Sequence, residues 1–250
     1  MDPARPAFVP DPSLNTEEMK RLQREIATAA RFTDDPSIDP ASPGIVAGVD
    51  QAFLEERAVS AIVAMRDGEV IERASAVSPL SLPYVPGLLS FREGGPILDA
   101  VRELDHDPDL WLFDGSGRIH YRQAGLATHM GVVLDVPSVG VAKGLLCGTP
   151  RRSTENLPEG ARVPIDPDDD VETIGDAGES PGGGPLGYAV QTRQYDSPDR
   201  HVNPVYVSPG HRVGAASAAD HAEALCAGYK LPEPIRLADA YADDVKQATD

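Results

Sequence analysis

Apolar residues recur along this chain in two rhythms, helical and strand-like, and their alternation predicts a mixed α/β fold. Residues 1–14 are rich in proline and carry no periodicity, which predicts an extended arm. Asn15 followed by Glu18 forms a capping-box pattern, and Met19, Leu22, Ile26 and Ala30 then share one helical face through about Phe32. The segment DDPSIDPASPG at 34–44 reads as a loop. Next come three short apolar runs: Gly44 to Asp50 (GIVAGVD), Ala58 to Met65 and Glu69 to Val77. The last two flank Arg66-Asp67-Gly68, and Asp-Gly between such runs is a hairpin signal because glycine tolerates the positive φ of a primed turn.

A proline-bracketed loop, Leu82 to Gly87, leads into Leu88 to Glu93, and a helix is predicted from about Pro96 to Leu104, since proline suits a first turn. Leu110 to Asp114 (LWLFD) is an apolar strand that, like the GIVAGVD run, ends on an acid. Gln123 to Leu134 reads as a helix, and Ser138 to Ala142 as a buried strand ending at Lys143. Residues 148–185 break the rhythm with glycine, proline and acids, which predicts a long surface insertion. Strands resume at Leu186 to Thr192 and Pro204 to Val207, His211 opens a helix over about Ala215 to Ala227, and Gly228 stops it. Antiparallel strands come first and parallel crossover units second, so the expectation is one α/β domain over 15–240, between the arm and an acidic tail at 241–250.

Composition adds a constraint. Hydrophobic content of 41% suits a globular chain of 250 residues. The N-terminus lacks the apolar core of a secretory signal and no run is long enough to span a membrane, so a cytoplasmic protein without a membrane partner is expected. Cys147 and Cys226 have no metal-ligand spacing. Forty acidic residues oppose 22 basic ones, a net charge of −18, and eighteen of the 22 are arginine. The acids are spread along the whole chain, which favours adaptation to a saline cytoplasm over a cationic partner. At roughly 1 M salt the Debye length is about 3 Å, and repulsion among surface carboxylates is largely screened.

Asp50 and Asp114 each end an apolar strand. Sites in open sheets form at the carboxyl edge of parallel strands, so if these two are neighbours their carboxylates share a crevice. Two anions that close favour a shared cation, and Mg²⁺ prefers oxygen ligands. Glu93 lies where a loop enters a helix and could reach the same point. A strand-end acid can equally be a turn former or cap. His211, between a strand and a helix, has a pKa suited to proton transfer or phosphate contact, or it caps the helix. The other histidines show no paired zinc spacing. The acidic run at 166–172 lacks the glycine and terminal glutamate of a calcium loop.

Six segments in order resemble the endonuclease V family: GVD at 48–50, PYVPGLLSFREG at 83–94, DGSGRIHYRQAGLATHMGV at 114–132, VGVAKGLL at 139–146, VYVSPGHR at 205–212 and GYKLPEPIRLAD at 228–239. They span about 190 residues. The chain departs from the usual pattern at Gln51-Ala52-Phe53 after GVD, and at His120-Tyr121-Arg122, where the family usually reads HPR.

The resemblance implies a ribonuclease-H-like fold with the first and fourth strands adjacent and parallel. It implies a monomeric, Mg²⁺-dependent nuclease, with Mn²⁺ as a substitute, that cuts the second phosphodiester 3′ to deoxyinosine. The partner would be DNA containing deoxyinosine, or RNA containing inosine. Asp50, Glu93 and Asp114 match the family's metal-binding acids and His211 its histidine near the metal. Tyr84 matches the wedge that fills the gap left by an extruded base. Gly87, Leu89, Gly115 and Leu126 match positions around the base, with His120 close by, and Lys143 a basic position beside the acids. Arg92, Arg122 and Arg212 are expected phosphate contacts. The alternatives are a nuclease of the same fold with another specificity, and a lesion-binding module without chemistry.

Overall fold

The chain's strands assemble into one nine-stranded sheet, seen in a computed structural model that describes residues 1–36, 44–174, 184–195 and 201–249. Strands β1 (Ile45–Phe53), β2 (Arg57–Arg66) and β3 (Glu69–Pro79) pair antiparallel. The β2–β3 turn places Asp67 at φ 53° and Gly68 at φ 80°, the left-handed pair a two-residue primed turn requires. Strand β4 (Leu110–Asp114) then pairs parallel with β1, and β5 (Ser138–Ala142) parallel with β4. Strand β9 (Val205–His211) adds antiparallel to β5, followed outward by β8 (Gly187–Val190), β7 (Arg162–Asp166) and β6 (Thr149–Pro150).

Alternation along β4 shows how the sheet is buried on both faces. Trp111 and Phe113 pack with Ala47, Val49, Ile97, Val101 and Met130, under helices α2 (Leu89–Arg102) and α3 (Leu126–Leu134). Leu110 and Leu112 pack with Val46, Val139, Val141, Ala222 and Ile235 on the other face, under α4 (Ala215–Ala224) and α5 (Glu233–Thr249). Helix α1 (Thr16–Ala29) carries the reciprocal Asn15–Glu18 capping box and seats Ile26 and Ala27 beside Val132. Among the described residues no helix is long and apolar enough to cross a membrane.

Several expectations are corrected. Helix α2 begins at Leu89 rather than Pro96, and Pro96 lies inside it. The arm at 1–14 docks on the domain: Arg5 pairs with Asp135 at 2.7 Å, and the Phe8 carbonyl meets His129 Nε2 at 2.7 Å. The 148–185 segment holds β6 and β7, and buries Leu157, Val163 and Ile165 around Cys147, so it extends the sheet; its residues 175–183 lie outside the described residues. The same holds for most of the 34–44 loop. The segment after Gly228 forms α5, which runs through the expected tail to Thr249 and buries Ala242.

Strand β9 runs on through Ser208-Pro209-Gly210 to His211. Its register against β5 shifts between Ser138 and Val139, a bulge at which proline's missing N–H is tolerated. His211 therefore ends a strand, and α4 starts at Ala215.

Candidate active site

Asp50 and Asp114 meet because of the β1–β4 register. Val49 stands opposite Phe113, so the next residue on each parallel strand is an acid at the same sheet edge. Both carboxylates fall on the α5 face, in step with Val46 and Gly48 on β1 and Leu112 on β4. Gly48 is where α5 crosses. A Cβ there would lie 2.1 Å from the Pro234 carbonyl carbon, so only glycine lets helix and strand approach this closely. From Pro234 the helix advances about 7.5 Å in five residues, and β1 advances about 6.6 Å in two. Those matched advances bring Asp239 beside Asp50, within reach to share a proton.

Glu93 enters from the opposite face. It is buried in the second turn of α2, and its backbone carbonyl accepts from Gln51 Nε2 at 3.1 Å. Asp50, Glu93, Asp114 and Asp239 thus line one cavity of about 540 Å³, whose rim carries Tyr84, Arg92 and Lys143.

The electrostatics of this group are unfavourable as they stand. Burial, then the Asp114 charge, pushes the Asp50 carboxyl up to about 8, despite a 2.7 Å bond from the Gln51 N–H. Burial likewise pushes Glu93 up to about 8, with Asp114 adding and Arg92 opposing. Asp50 Oδ2 is buried with no donor in the protein, since its neighbour Asp239 is itself an acceptor when ionised. Lys143 Nζ sits 2.6 Å from Asp114 Oδ2. Burial lowers the Lys143 pKa, but that bond and the surrounding carboxylates outweigh it and leave the ammonium raised.

A divalent cation fits this chemistry. Four hard oxygen donors face one cavity, and a buried carboxylate oxygen lacks a positive partner. Among the described residues no three acidic, histidine or cysteine side chains are grouped closely enough as they stand to hold a metal ion. An open carboxylate site is what Mg²⁺ uses, because it keeps several waters and takes few protein ligands beside substrate phosphates.

A second, smaller cavity of about 80 Å³ adjoins the first. Tyr84, Leu89 and Leu126 line both, and Gln23, Gly87, Ser90, Ser116, His120 and Gly125 are among the others that line the second. Tyr84 is 65% exposed at their shared mouth. Gly115 lines the acidic cavity against Leu126. His120 is buried and held neutral, its pKa lowered to about 3 by burial and then by the Arg122 charge.

Three expected site residues lie elsewhere. His211 is fully buried at the opposite sheet edge, where its Nε2 is 3.0 Å from Asp135 Oδ1 and its Nδ1 accepts from the Arg31 N–H at 3.1 Å. Burial lowers it to about 4. Arg212 is at that edge too, paired with Asp35 and Asp135. Arg122 is buried rather than open to a phosphate: its Nε donates to Gln23 and its Nη2 to the Gly87 carbonyl. Arg92 does reach the acidic cavity, with its guanidinium 4.6 Å from the Phe53 ring centroid. Asp239, Phe53 and Gln23 are site residues the sequence reading did not reach. The proline-started stripe Ile235, Ala238 and Ala242 was the signal for the helix that carries Asp239.

The arrangement and the chain's relatives agree. The family model for endonuclease V matches residues 23–240. An endonuclease V from Haloarcula marismortui is 58% identical over 98% of this chain and 97% of its own. The crystal structure of endonuclease V from Streptomyces avermitilis superposes with a TM-score of 0.78 at 33% identity, covering all of both chains. The Ciona intestinalis endonuclease V, solved with a 24mer DNA containing an inosine followed by a ribo-adenosine, has the same fold: TM-score 0.74 at 23% identity, over 94% of this chain and 98% of its own. The sheet order is the ribonuclease-H-like arrangement, and relatives from halophilic archaea fit the acidic surface. With the paired β1 and β4 acids, motif order and full-length relatives in accord, this chain belongs to the endonuclease V family of phosphodiester-cleaving nucleases.

Proposed function

We propose that the chain is a Mg²⁺-dependent repair endonuclease that cuts the second phosphodiester 3′ to deoxyinosine in DNA. The observation that carries this reading is the convergence of Asp50, Glu93, Asp114 and Asp239 on one cavity beside a pocket rimmed by Tyr84. The inosine-containing DNA held by the Ciona protein supports the choice of substrate.

Asp50, Glu93, Asp114 and Asp239 would hold the cation. Bound there, it would lower the pKa of a water and neutralise charge on the phosphate. Lys143 and Arg92 contact phosphate oxygens from the rim. Water adds to phosphorus as the P–O3′ bond breaks, leaving a 3′-hydroxyl and a 5′-phosphate. The attacking water gives its proton to solvent, and the departing oxygen takes one from solvent.

Tyr84 fills the gap left in the stack when the hypoxanthine turns out. A damaged pair costs less to open, which contributes selectivity. Gly87, Leu89, Leu126 and His120 wall the pocket that receives the base, with Gly115 behind Leu126.

The test compares strands with and without one deoxyinosine, alongside inosine RNA, with Mg²⁺ across low to molar salt, and maps the product ends. Equal cutting of both DNA strands supports a nuclease of the same fold with another specificity. Binding without cutting under all conditions supports a lesion-binding module.

A further inference from the structure

The base pocket is anchored from a helix that contributes nothing to the acidic site. Gln23, on α1, is 1% exposed, and its Nε2 donates to the Gly87 carbonyl at 2.9 Å. The same carbonyl accepts from Arg122 Nη2 at 3.2 Å. His120 Nδ1 accepts the Arg122 backbone N–H at 3.2 Å, so the proton of this neutral ring is on Nε2, which donates to the Gly87 carbonyl at 3.1 Å. Arg122 Nε donates in turn to Gln23 Oε1 at 2.7 Å. One carbonyl therefore takes three donors, two of which are bonded to each other.

Gly87 is the end of the Tyr84 loop, and its φ of 76° is open to glycine at little cost. A Cβ there would sit 3.0 Å from the Tyr121 ring and 3.2 Å from Arg122 Nη2. The loop is thus fixed at Gly87 and exposed at Tyr84 and Val85. The fixed carbonyl is also saturated. Its lone pairs are committed to protein donors, so it offers nothing to the 6-amino group of an adenine that enters the pocket.

We infer that Gln23 is a positioning residue for base selection: through the Gly87 carbonyl it sets the pocket wall and withholds an acceptor from amino-bearing purines. This rests on the base-pocket reading above. Arg122 and Gln23 act as one unit, because Gln23 Oε1 orients the guanidinium and Gln23 Nε2 completes the carbonyl.

The test measures kcat and KM on strands that differ only in one deoxyinosine or deoxyadenosine, for the parent protein, Gln23→Glu and Gln23→Met. Gln23→Glu keeps the acceptor for Arg122 and removes the donor to Gly87. Gln23→Met keeps the volume and removes both, and thermal unfolding identifies whichever of the two is folded. A lost buried donor on a charge-linked carbonyl lowers the inosine-to-adenosine ratio of kcat/KM by about tenfold or more. Most of the change falls in KM, which rises for the inosine strand as the pocket wall shifts and falls for the adenosine strand as the carbonyl becomes free to accept, with kcat changing less. A folded variant that keeps the parent ratio overturns the assignment, as does a loss confined to kcat. A parent protein with no preference for inosine overturns the pocket reading itself.

Discussion

Lys143 Nζ lies 2.6 Å from Asp114 Oδ2, joining the residue after β5 to the last residue of β4 at the edge where the acids gather. This contact places a positive charge among carboxylates that burial already holds above their usual range. It also marks where a phosphate would meet an ammonium.

Replacing Lys143 by methionine separates those two roles. Loss of a charge-assisted contact to phosphate lowers kcat by about 10- to 100-fold. Removing the cation beside Asp114 makes the site more negative, so the Mg²⁺ concentration for half-maximal activity falls. Titration of activity with Mg²⁺ reads both; a variant matching the parent in each would remove Lys143 from the site.

Asp50→Asn trades function for stability. The folded Asp50 pKa of about 8 lies above its ordinary 3.8, so the folded state holds the extra proton. The stability from that proton is fully present below 3.8 and is lost as pH rises through 8. The parent protein without metal should therefore lose thermal stability between about pH 4 and 8 from this group, with Glu93 adding in the same sense. The substitution removes the Asp50 part of that slope and raises Tm by several degrees at about pH 8, the equivalent of about 1 kcal/mol or more. Turnover is abolished. A lower Tm in the variant would contradict the buried-charge account.

His211→Gln tests the sheet-edge assignment. His120, His129 and His211 are all lowered by burial, to about 3, 4 and 4, so their stabilisation is present above 6.5 and lost as pH falls through 4. The variant should show a shallower decline between about pH 6.5 and 4, and lower stability at neutral pH by about 1–3 kcal/mol from two lost buried contacts. Its kcat stays within a few-fold, because the histidine faces Asp135 rather than the acids. A loss of a thousandfold would return His211 to the chemistry.

Tyr84→Ala should leave Tm unchanged, since the ring is 65% exposed, and should reduce the preference for inosine over undamaged strands. An unchanged ratio would count against the wedge.

Salt should raise both stability and activity. With 40 acidic residues against 22 basic, repulsion is screened as salt approaches roughly 1 M, and Tm and cleavage rate rise together. Full stability and activity in dilute buffer would contradict salt adaptation.

What the sequence made legible follows from where short-range signals suffice. Asp50 and Asp114 were readable as acids closing apolar runs, a local pattern, although only Asp114 ends its strand, since β1 continues past Asp50 to Phe53. Their adjacency was not, since parallel pairing carries no turn signature, and it entered through the family resemblance. Glu93 came the same way, because the run Leu89–Glu93 read as loop when Pro96 marked a helix start. His211 does lie between a strand and a helix, but Ser208-Pro209-Gly210 reads as a strand stop whereas a bulge lets β9 continue to it, and its place near the metal came only from the resemblance. Asp239 and Gln23 depend on how helices cross the sheet and loop, a relation between segments far apart in the chain. No window of sequence displays it.

The contact of α5 on Gly48, backbone against backbone, leaves no side chain between helix and sheet to absorb a shift. The four acids come from β1, α2, β4 and α5, spread over 190 positions of the chain, so the site is complete only when those segments are docked together. Cutting power is then a property of the finished fold alone. Loosening any one segment disarms the nuclease before it can act indiscriminately, and heating should extinguish cleavage along the same curve as unfolding.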